Sequence, residues 1–484
     1  MSMHISPIES DRADTTRLSG QLGTPAIVLM VVAAAAPLTV IGGNMPLAIG
    51  LGNGAGAPVG FLAAAVVLLV FSVGFVKMTP HVREAGAFYS YVTRGLGRRP
   101  GMGIAFVALV AYTAIQAGIY GYIGWAIDDT VRFYGGPSIP WPIYSAATLV
   151  IVALLGYRHI DVSAKVLGVA LALEIGIVVV LDLVILANPG PDGLTLAPFQ
   201  PSVFTEGALG VAVLFALTGF IGFESTAIFR DEARDPSRTI PRATYISVLL
   251  IGVFYAVTCW MFVVADGTQG VVTNADRTLA GEGNMLLETT ASMLGTIGRD
   301  IVNVLLLTSL FACVLSFHNV ITRYQFTLAG NGYLPRWLDH VHPAHRSPSR
   351  SSLVQTVTAF VILAVFALFQ VDPLVGVFGS MAGVATVGMM ILLLSTTLAV
   401  IVFFARDTDA NAGRVWTTRV VPLIAIVGLL ICLWLVLSNF TLVTGGSVAV
   451  SIGLAVVPFV ALAIGMSVRR RGAVARPDAA DEGD

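Results

Sequence analysis

The sequence predicts an all-α, polytopic membrane protein, and three observations carry that prediction. Only 11% of the 484 residues are charged and 56% are hydrophobic, where a soluble domain runs about 25% charged. Twelve apolar stretches have roughly the 20-residue length that a helix needs to cross the hydrocarbon core. The cations between those stretches alternate in the way that the positive-inside rule requires. Composition argues against a cytosolic enzyme, because so few charges could not cover a water-facing surface. Fibrous and disordered classes fail too, since there is no Gly-x-y period and the apolar content is too high.

The stretches fall at about 25–49, 58–76, 101–127, 141–157, 162–187, 207–229, 242–265, 300–322, 352–371, 373–405, 418–440 and 446–468. Residues 1–24 hold Asp11, Arg12, Asp14 and Arg17 without a signal-peptide apolar run, so a short cytoplasmic tail is expected. Residues 469–484, opening on Arg469-Arg470-Arg471, read as a second cytoplasmic tail. With both ends inside, every Lys and Arg except Arg132, Arg277 and Arg299 falls on an inner segment. An odd number of crossings would scramble that partition. Cys259, Cys313 and Cys432 lie far apart in apolar runs, which suggests neither a disulfide framework nor a zinc site.

Two stretches are interrupted. The first reads Ala36-Pro37-Leu38-Thr39-Val40-Ile41-Gly42-Gly43-Asn44-Met45-Pro46. Its prolines each remove an intrahelical donor, and the paired glycines between them lower the cost of unwinding. The sixth reads Phe215-Ala216-Leu217-Thr218-Gly219-Phe220-Ile221-Gly222-Phe223-Glu224-Ser225, with a carboxylate deep in an apolar run. Non-helical backbone inside a bilayer is tolerated only where it is buried in protein or lines a cavity. Stretches one and six are equivalent positions in two five-helix halves, and breaks so paired point to the central site of a secondary transporter. Close packing of helices through small residues is the plainer explanation of either break alone. A half-helix starting after a gap offers N–H groups to a carboxylate, and one ending before it offers carbonyls to an ammonium. A small zwitterion uses both.

The chain resembles the amino acid–polyamine–organocation (APC) superfamily of transporters over nearly its whole length. The most specific match runs from Gly222-Phe223-Glu224-Ser225 through Asp231-Glu232-Ala233-Arg234-Asp235-Pro236-Ser237-Arg238-Thr239-Ile240-Pro241-Arg242-Ala243. A second covers Thr79-Pro80, Glu84-Ala85-Gly86-Ala87-Phe88-Tyr89-Ser90-Tyr91 and Leu96-Gly97. A third covers Arg323-Tyr324 and Gly330-Asn331-Gly332-Tyr333-Leu334-Pro335. The resemblance implies a leucine-transporter-type fold: a first inverted repeat over 25–187, a second over 207–405, and two further helices over 418–468. It also implies alternating access around a midplane site. Two departures stand out. The Gly-Ser/Thr-Gly triplet usual at the first break is replaced by Pro37-Leu38-Thr39-Val40-Ile41-Gly42-Gly43. In the fifth stretch Glu174 stands where many proton-linked members carry a lysine whose ammonium replaces a sodium ion. An acid could carry a proton itself, or supply negative charge to sodium or to a cationic substrate.

Candidate substrate contacts are therefore Pro37, Leu38, Thr39, Ile41, Gly42 and Gly43 at the first break and Thr218, Gly219, Phe220 and Gly222 at the second. Tyr112 and Gln116, which recur with Tyr120 on one face of the third stretch, are candidates too, although helix packing explains such a stripe equally well. Glu174 and Glu224 are the coupling or gating candidates, because an acid inside a membrane span is costly and functional by default. Asp182, eight residues beyond Glu174, is expected to be solvated near the outer interface. His318 reads as structural. Arg230, Arg234, Arg238 and Arg242 are expected to pair with Asp231, Glu232 and Asp235 as an inner gate, with a simple role as topology-setting cations the plainer alternative, and Gly281–Glu288 resembles an outer lid helix.

The function expected is import of amino acids across the plasma membrane, coupled to protons or to a counter-substrate; an amine or polyamine carrier of the same fold is the alternative. A channel is the distant rival, since no filter motif appears. No enzyme constellation or phosphate-binding loop is found. No cofactor is expected beyond a coupling H+ or Na+, and the partners are a small-molecule substrate and lipid, with no nucleic acid.

Overall fold

Proline and glycine decide where the helices of this chain stop. The computed structural model describes residues 22–82, 87–158, 164–228, 232–343, 347–407 and 415–470. Most of both tails, most of the Glu84-Ala85-Gly86-Ala87 motif and Arg230-Asp231 therefore lie outside the described residues.

Helix α1 spans Thr24–Ala34. It ends there because Pro37 brings no N–H and its ring would strike the carbonyl four residues back. The residue before a proline also resists the helical conformation, and Ala36 turns left-handed at φ 44, ψ 74. The chain then resumes as helical turns over Pro37–Thr39, Val40–Asn44 and Met45–Ala48. So the break sits at Ala35–Ala36, ahead of the first proline, and the Gly42–Gly43 pair expected to unwind stays wound in a wide turn. A second interruption at Gly52 (ψ −124) and Gly54 (φ 57) leads into α2, Ala57–Met78. The helical run Thr24–His81 holds 58 residues, about 87 Å if continuous at 1.5 Å per residue. That is far more than a core of about 30 Å can hold in one crossing.

The remaining principal helices are α3 (Ala87–Leu96), α4 (Arg98–Phe133), α5 (Trp141–Tyr157), α6 (Ala164–Ala187), α7 (Leu209–Thr218), α8 (Ser225–Ile228), α9 (Pro236–Leu279), α10 (Met285–Gly330), α11 (Ser349–Leu368), α12 (Ser380–Arg406), α13 (Val421–Ser438) and α14 (Val448–Ser467). Nine helical runs among the described residues are long and apolar enough to cross a membrane, and two shorter apolar helices, α5 and α7, accompany them. The 44 residues of α9 and 46 of α10 each bend at a glycine, Gly267 (φ 80) and Gly295 (φ 73), where a side chain would be strained. The short arms between these bends form a hairpin closed by an ion pair from Arg277 to Glu288 at 2.9 Å. The lid helix expected over Gly281–Glu288 starts only at Met285, because Gly281 (φ 72) makes the turn and the Asn284 side chain caps the Leu287 N–H.

Burial grades from centre to rim. In the most apolar 18-residue window of each helix, 78% of residues are buried in α4 but only 22% in α14. Helix α4 accordingly packs against α3, α5, α10, α12 and α14. Leu430, Ile431, Trp434, Ile452 and Val460 are exposed on the rim. Facing water, each square ångström of such surface would cost about 25 cal/mol; facing lipid it costs nothing. The chain is a multi-pass membrane protein.

Packing at the rim of the site is backbone-close. A Cβ placed on Gly210 of α7 would lie 2.1 Å from the Leu435 carbonyl oxygen of α13. Backbone cannot swing aside as a side chain can. Gly210→Ala is therefore expected to push α7 off α13 and destabilise the protein by about 1–3 kcal/mol or more, read as a lower Tm of the purified protein in detergent.

Candidate functional site at the paired helix breaks

The first break leaves backbone N–H groups at the start of the Pro37 half-helix with no carbonyl behind them. The Leu38 amide is used by Glu174, which reaches across from the middle of α6. The same carboxylate accepts from Ser309 Oγ of α10 at 2.9 Å, and Ser309 Oγ in turn accepts from Thr39 Oγ1 at 3.5 Å. An anionic side chain at a half-helix N-terminus meets the positive end of its dipole. Glu174 thus ties three elements together at one point, and it is 5% exposed. On the other side of the break, the Ala35 carbonyl accepts from Tyr255 Oη of α9 at 3.2 Å.

The second break follows Thr218. Residues 219–224 form turns instead of helix, and Gly222 takes φ 112, with Ala34 of α1 3.3 Å from where a Cβ would stand. Glu224 closes this gap locally. Its Oε2 accepts the Gly222 N–H at 2.9 Å and its Oε1 accepts Tyr112 Oη of α4 at 2.6 Å. The carboxyl is buried, and both oxygens are occupied. Asn44 Nδ2 joins the two broken helices directly by donating to the Phe215 carbonyl at 2.8 Å.

Between the breaks lies a cavity of about 30 Å³, room for about two water molecules. It is lined by Ala34, Ala35 and Ala36 with Thr39, Val40 and Asn44 from the first broken helix, and by Thr218 and Ile221 from the second. Ile115 and Ile119 of α4, Cys313 and Phe317 of α10, and Phe378 complete the wall. The side chains are mainly aliphatic and aromatic, with hydroxyls and one amide among them. Neither Glu174 nor Glu224 contributes to the lining.

Of the residues singled out in the sequence, Thr39 and Thr218 line this cavity. Pro37, Leu38 and Ile41 are buried beside it; Leu38 serves Glu174. Gly42 and Gly43 lie against the ring of Tyr122: a Cβ on Gly42 would stand 2.5 Å from its Oη and one on Gly43 2.7 Å from its Cε1. Gly219 faces Val40 and Tyr255, and Phe220 stacks edge-on with Tyr255 at 6.4 Å. The Tyr112–Gln116–Tyr120 stripe separates into three destinations. Tyr112 goes to Glu224. Gln116 is drawn to α11, accepting from Gln355 Nε2 at 2.7 Å, while Gln355 accepts from Gln325 at 3.1 Å. Tyr120 is buried, and its carbonyl takes the Ser145 hydroxyl at 2.6 Å.

Sequence reasoning passed over Asn44, Ser309, Tyr122, Tyr255 and Phe378. Tyr122 carries the clearest signal: its hydroxyl is buried without a hydrogen-bond partner, right against the glycine pair. The signal that could have found it is a tyrosine of the third stretch that falls off the stripe chosen, beside Trp125 on another face. Asp182 is not solvated as expected. It accepts from Thr258 Oγ1 of α9 at 2.8 Å, and its other oxygen is buried with no partner. His318 bonds Ser352 Oγ at 2.8 Å against Gly156, a packing role. In the arginine-rich loop, Arg238 pairs with Asp235 at 3.8 Å, both exposed. Asp235 is held below the ordinary carboxylate range by the Ser237 hydroxyl and then by Arg238.

Over residues 22–464 the sequence matches the family described as amino acid permease. An uncharacterized transporter of Mycobacterium tuberculosis is 28% identical over 305 residues, 62% of this chain and 64% of its own length. The chain therefore spans just under two thirds of that relative. A branched-chain amino acid permease of Bacillus subtilis is 24% identical over 402 residues, covering 80% of this chain and 81% of that protein. An uncharacterized transporter of Rhizobium meliloti is 23% identical over 294 residues, 57% of this chain and 58% of the relative. Because the family match takes in both broken helices and nearly everything between the tails, the chain belongs to the amino acid permease family of the APC superfamily.

Proposed function

We propose that the protein is a secondary active importer of neutral, aliphatic amino acids in the plasma membrane, driven by protons and working by alternating access. The observation that carries this reading is the pair of broken helices around a cavity walled by Val40, Ile115, Ile119, Ile221, Phe317 and Phe378. An amino acid presents one carboxylate, one ammonium and a side chain. Half-helix ends serve the first two, and the apolar wall suits a hydrocarbon side chain. At about 30 Å³ the cavity is far below the roughly 300–1,000 Å³ of ordinary ligand pockets. Entry therefore requires the elements to move apart, which favours a carrier over a channel. The name of the Bacillus subtilis relative supports branched-chain substrates as the first to try.

In this reading the chain crosses the membrane twelve times in two five-helix inverted repeats plus α13 and α14. Three features support that count: the 58-residue first run needs two crossings, α5 and α7 are each apolar, and the arginine-rich ends face the cytoplasm under the positive-inside rule. Glu174 is the coupling residue. It sits where the first half-helix begins, without a cation partner among the described residues, so a proton is the charge that suits it. The amine or polyamine alternative draws less support, because no carboxylate lines the cavity to receive a second ammonium.

A thermal-shift and counterflow screen tests the substrate class. Leucine, isoleucine or valine at about 100 times Kd should add about 2.7 kcal/mol to stability and should exchange in proteoliposomes. Stabilisation and counterflow with putrescine, and none with any neutral amino acid, would overturn the assignment.

A further inference from the structure

On the lipid side of α6 and α10 lies an open groove of about 690 Å³ that the transport reading does not use. The two helices are tied at the middle of the membrane, where Ser309 Oγ donates to Glu174 at 2.9 Å. From about that level outward they stand apart. Leu173, Gly176 and Val180 of α6 and Ile297, Ile301 and Val304 of α10 line the gap, and each is exposed. A Cβ on Gly176 would meet nothing within 4 Å. The lining runs from Ala172 to Val180 on one helix and from Ile297 to Leu305 on the other. Either run rises about 12 Å at 1.5 Å per residue, close to the roughly 15 Å of hydrocarbon in one leaflet.

Asp300 brings the groove its charge, since every other lining residue is apolar. It stands at the outer end: α10 enters from its bend at Gly295, and no Asp, Glu, Lys or Arg follows Asp300 until Arg323. Its Oδ1 is taken, by Tyr134 Oη at 2.5 Å and by Arg299 at 3.4 Å. Oδ2 has no hydrogen bond or ion pair among the described residues, and the side chain is 47% exposed. Arg299 is buried and stacks on the Phe133 ring, so it answers this carboxylate from the protein side only.

We propose that the groove binds one outer-leaflet phospholipid whose headgroup carries a primary amine, with an acyl chain between α6 and α10 and the ammonium on Asp300 Oδ2. The membrane orientation is that of the reading above; neither substrate nor proton enters the argument. Three features select this occupant. The groove is apolar along its length and faces the bilayer, so an acyl chain fills space that no side chain of the protein fills. Its length matches a chain within a single leaflet. The available carboxylate oxygen lies at headgroup level, where a primary ammonium donates a charge-assisted hydrogen bond. A quaternary ammonium has no N–H to give, and an anionic headgroup meets like charge. Leu173 adjoins Glu174, so an occupied groove also backs the segment that presents Glu174 to the Leu38 amide and Ser309.

The test uses the full chain, purified in a mild detergent and stripped of lipid. It is titrated separately with phosphatidylethanolamine, phosphatidylcholine and phosphatidylglycerol of matched acyl chains, with bound lipid counted by native mass spectrometry and Tm read alongside. One phosphatidylethanolamine should bind per chain and raise Tm, about tenfold more tightly than either other lipid, the fold-change of one hydrogen bond to a charged group. Asp300→Asn keeps an acceptor for Tyr134 and should level the three affinities. Gly176→Leu places its side chain in open space, which spares folding, and should weaken phosphatidylethanolamine binding by about tenfold or more by filling the groove. Equal affinities in the wild type, or undiminished binding in Gly176→Leu, overturn the lipid site and leave the transport reading untouched. If Asp300→Asn does not fold, the wild-type preference and the Gly176→Leu loss decide. A lipid-free dimer that Gly176→Leu separates assigns the groove to a second copy of the chain and overturns the proposal.

Discussion

Glu174→Gln is expected to reduce proton-driven accumulation to simple equilibration of substrate across the membrane, while counterflow continues. Glutamine keeps an acceptor oxygen for the Leu38 amide or the Ser309 hydroxyl, and it retains the shape of the side chain. It cannot bind and release a proton. The loss should therefore fall on coupling rather than on folding. The oxygen keeps the Leu38 amide, and the new NH₂ can donate to the Ser309 hydroxyl, which turns from donor to acceptor; any donor left unmatched costs about 1–3 kcal/mol. The decisive comparison is accumulation at an imposed pH gradient beside counterflow at equal pH. A Glu174→Gln protein that still concentrates substrate against its gradient, with unchanged pH dependence, would remove Glu174 from the coupling mechanism.

Glu224→Gln should act differently, slowing every transport mode at once. Glu224 receives two donors, the Tyr112 hydroxyl at 2.6 Å and the Gly222 amide at 2.9 Å. A glutamine side chain offers only one acceptor, and its NH₂ would face a donor. One buried donor is left unsatisfied, at about 1–3 kcal/mol, and the tie between α4 and the second break loosens. Both counterflow and accumulation should fall, with a lower Tm. Tyr112→Phe removes the donor that glutamine cannot serve, so the double variant should regain part of the loss, with a coupling of about 0.5–3 kcal/mol in a double-mutant cycle. Strictly additive effects of Tyr112→Phe and Glu224→Gln would show that the hydrogen bond between them does not organise the gap.

Much of the fold could be read along the chain because membrane constraints are local. A helix in lipid must satisfy its own backbone, so the places where it fails to do so are written in single residues. Pro37 and Gly222 mark both interruptions, and Glu224 closes its gap with an amide two residues away. The first break was legible only to within a few residues. Pro37 acts on what precedes it, and so the distorted residue is Ala36, while Gly42 and Gly43 serve a close approach by Tyr122 rather than an unwinding.

The site was less legible than the fold. Periodicity places Tyr112, Gln116 and Tyr120 on one face, yet it cannot say which neighbour that face meets. Helix α4 is buried on nearly all sides, so its faces serve α11, the second break and the cavity in turn. Gln116 is claimed by Gln355, 239 residues away, and the cavity takes Ile115 and Ile119 instead. Its distance from the helix end suggests a solvated interface for Asp182; packing against Thr258 leaves it half-buried, with one carboxyl oxygen shut away from solvent.

The sequence by itself determined that this chain is a multi-pass helical membrane protein of the amino acid permease family, that its first and sixth apolar stretches are interrupted, the first to within a few residues, and which acids lie deep within spans. Hydrophobic length, proline and glycine geometry and charge placement act over a few residues, so they survive in a linear reading. Only the tertiary structure decided that Glu174 meets the Leu38 amide and Ser309, that Tyr112 meets Glu224, and that the wall between the breaks is apolar. Those contacts join residues more than a hundred positions apart, and they depend on how each helix is rotated about its own axis. Rotation is fixed by packing against several neighbours at once, and no single stretch of sequence records it.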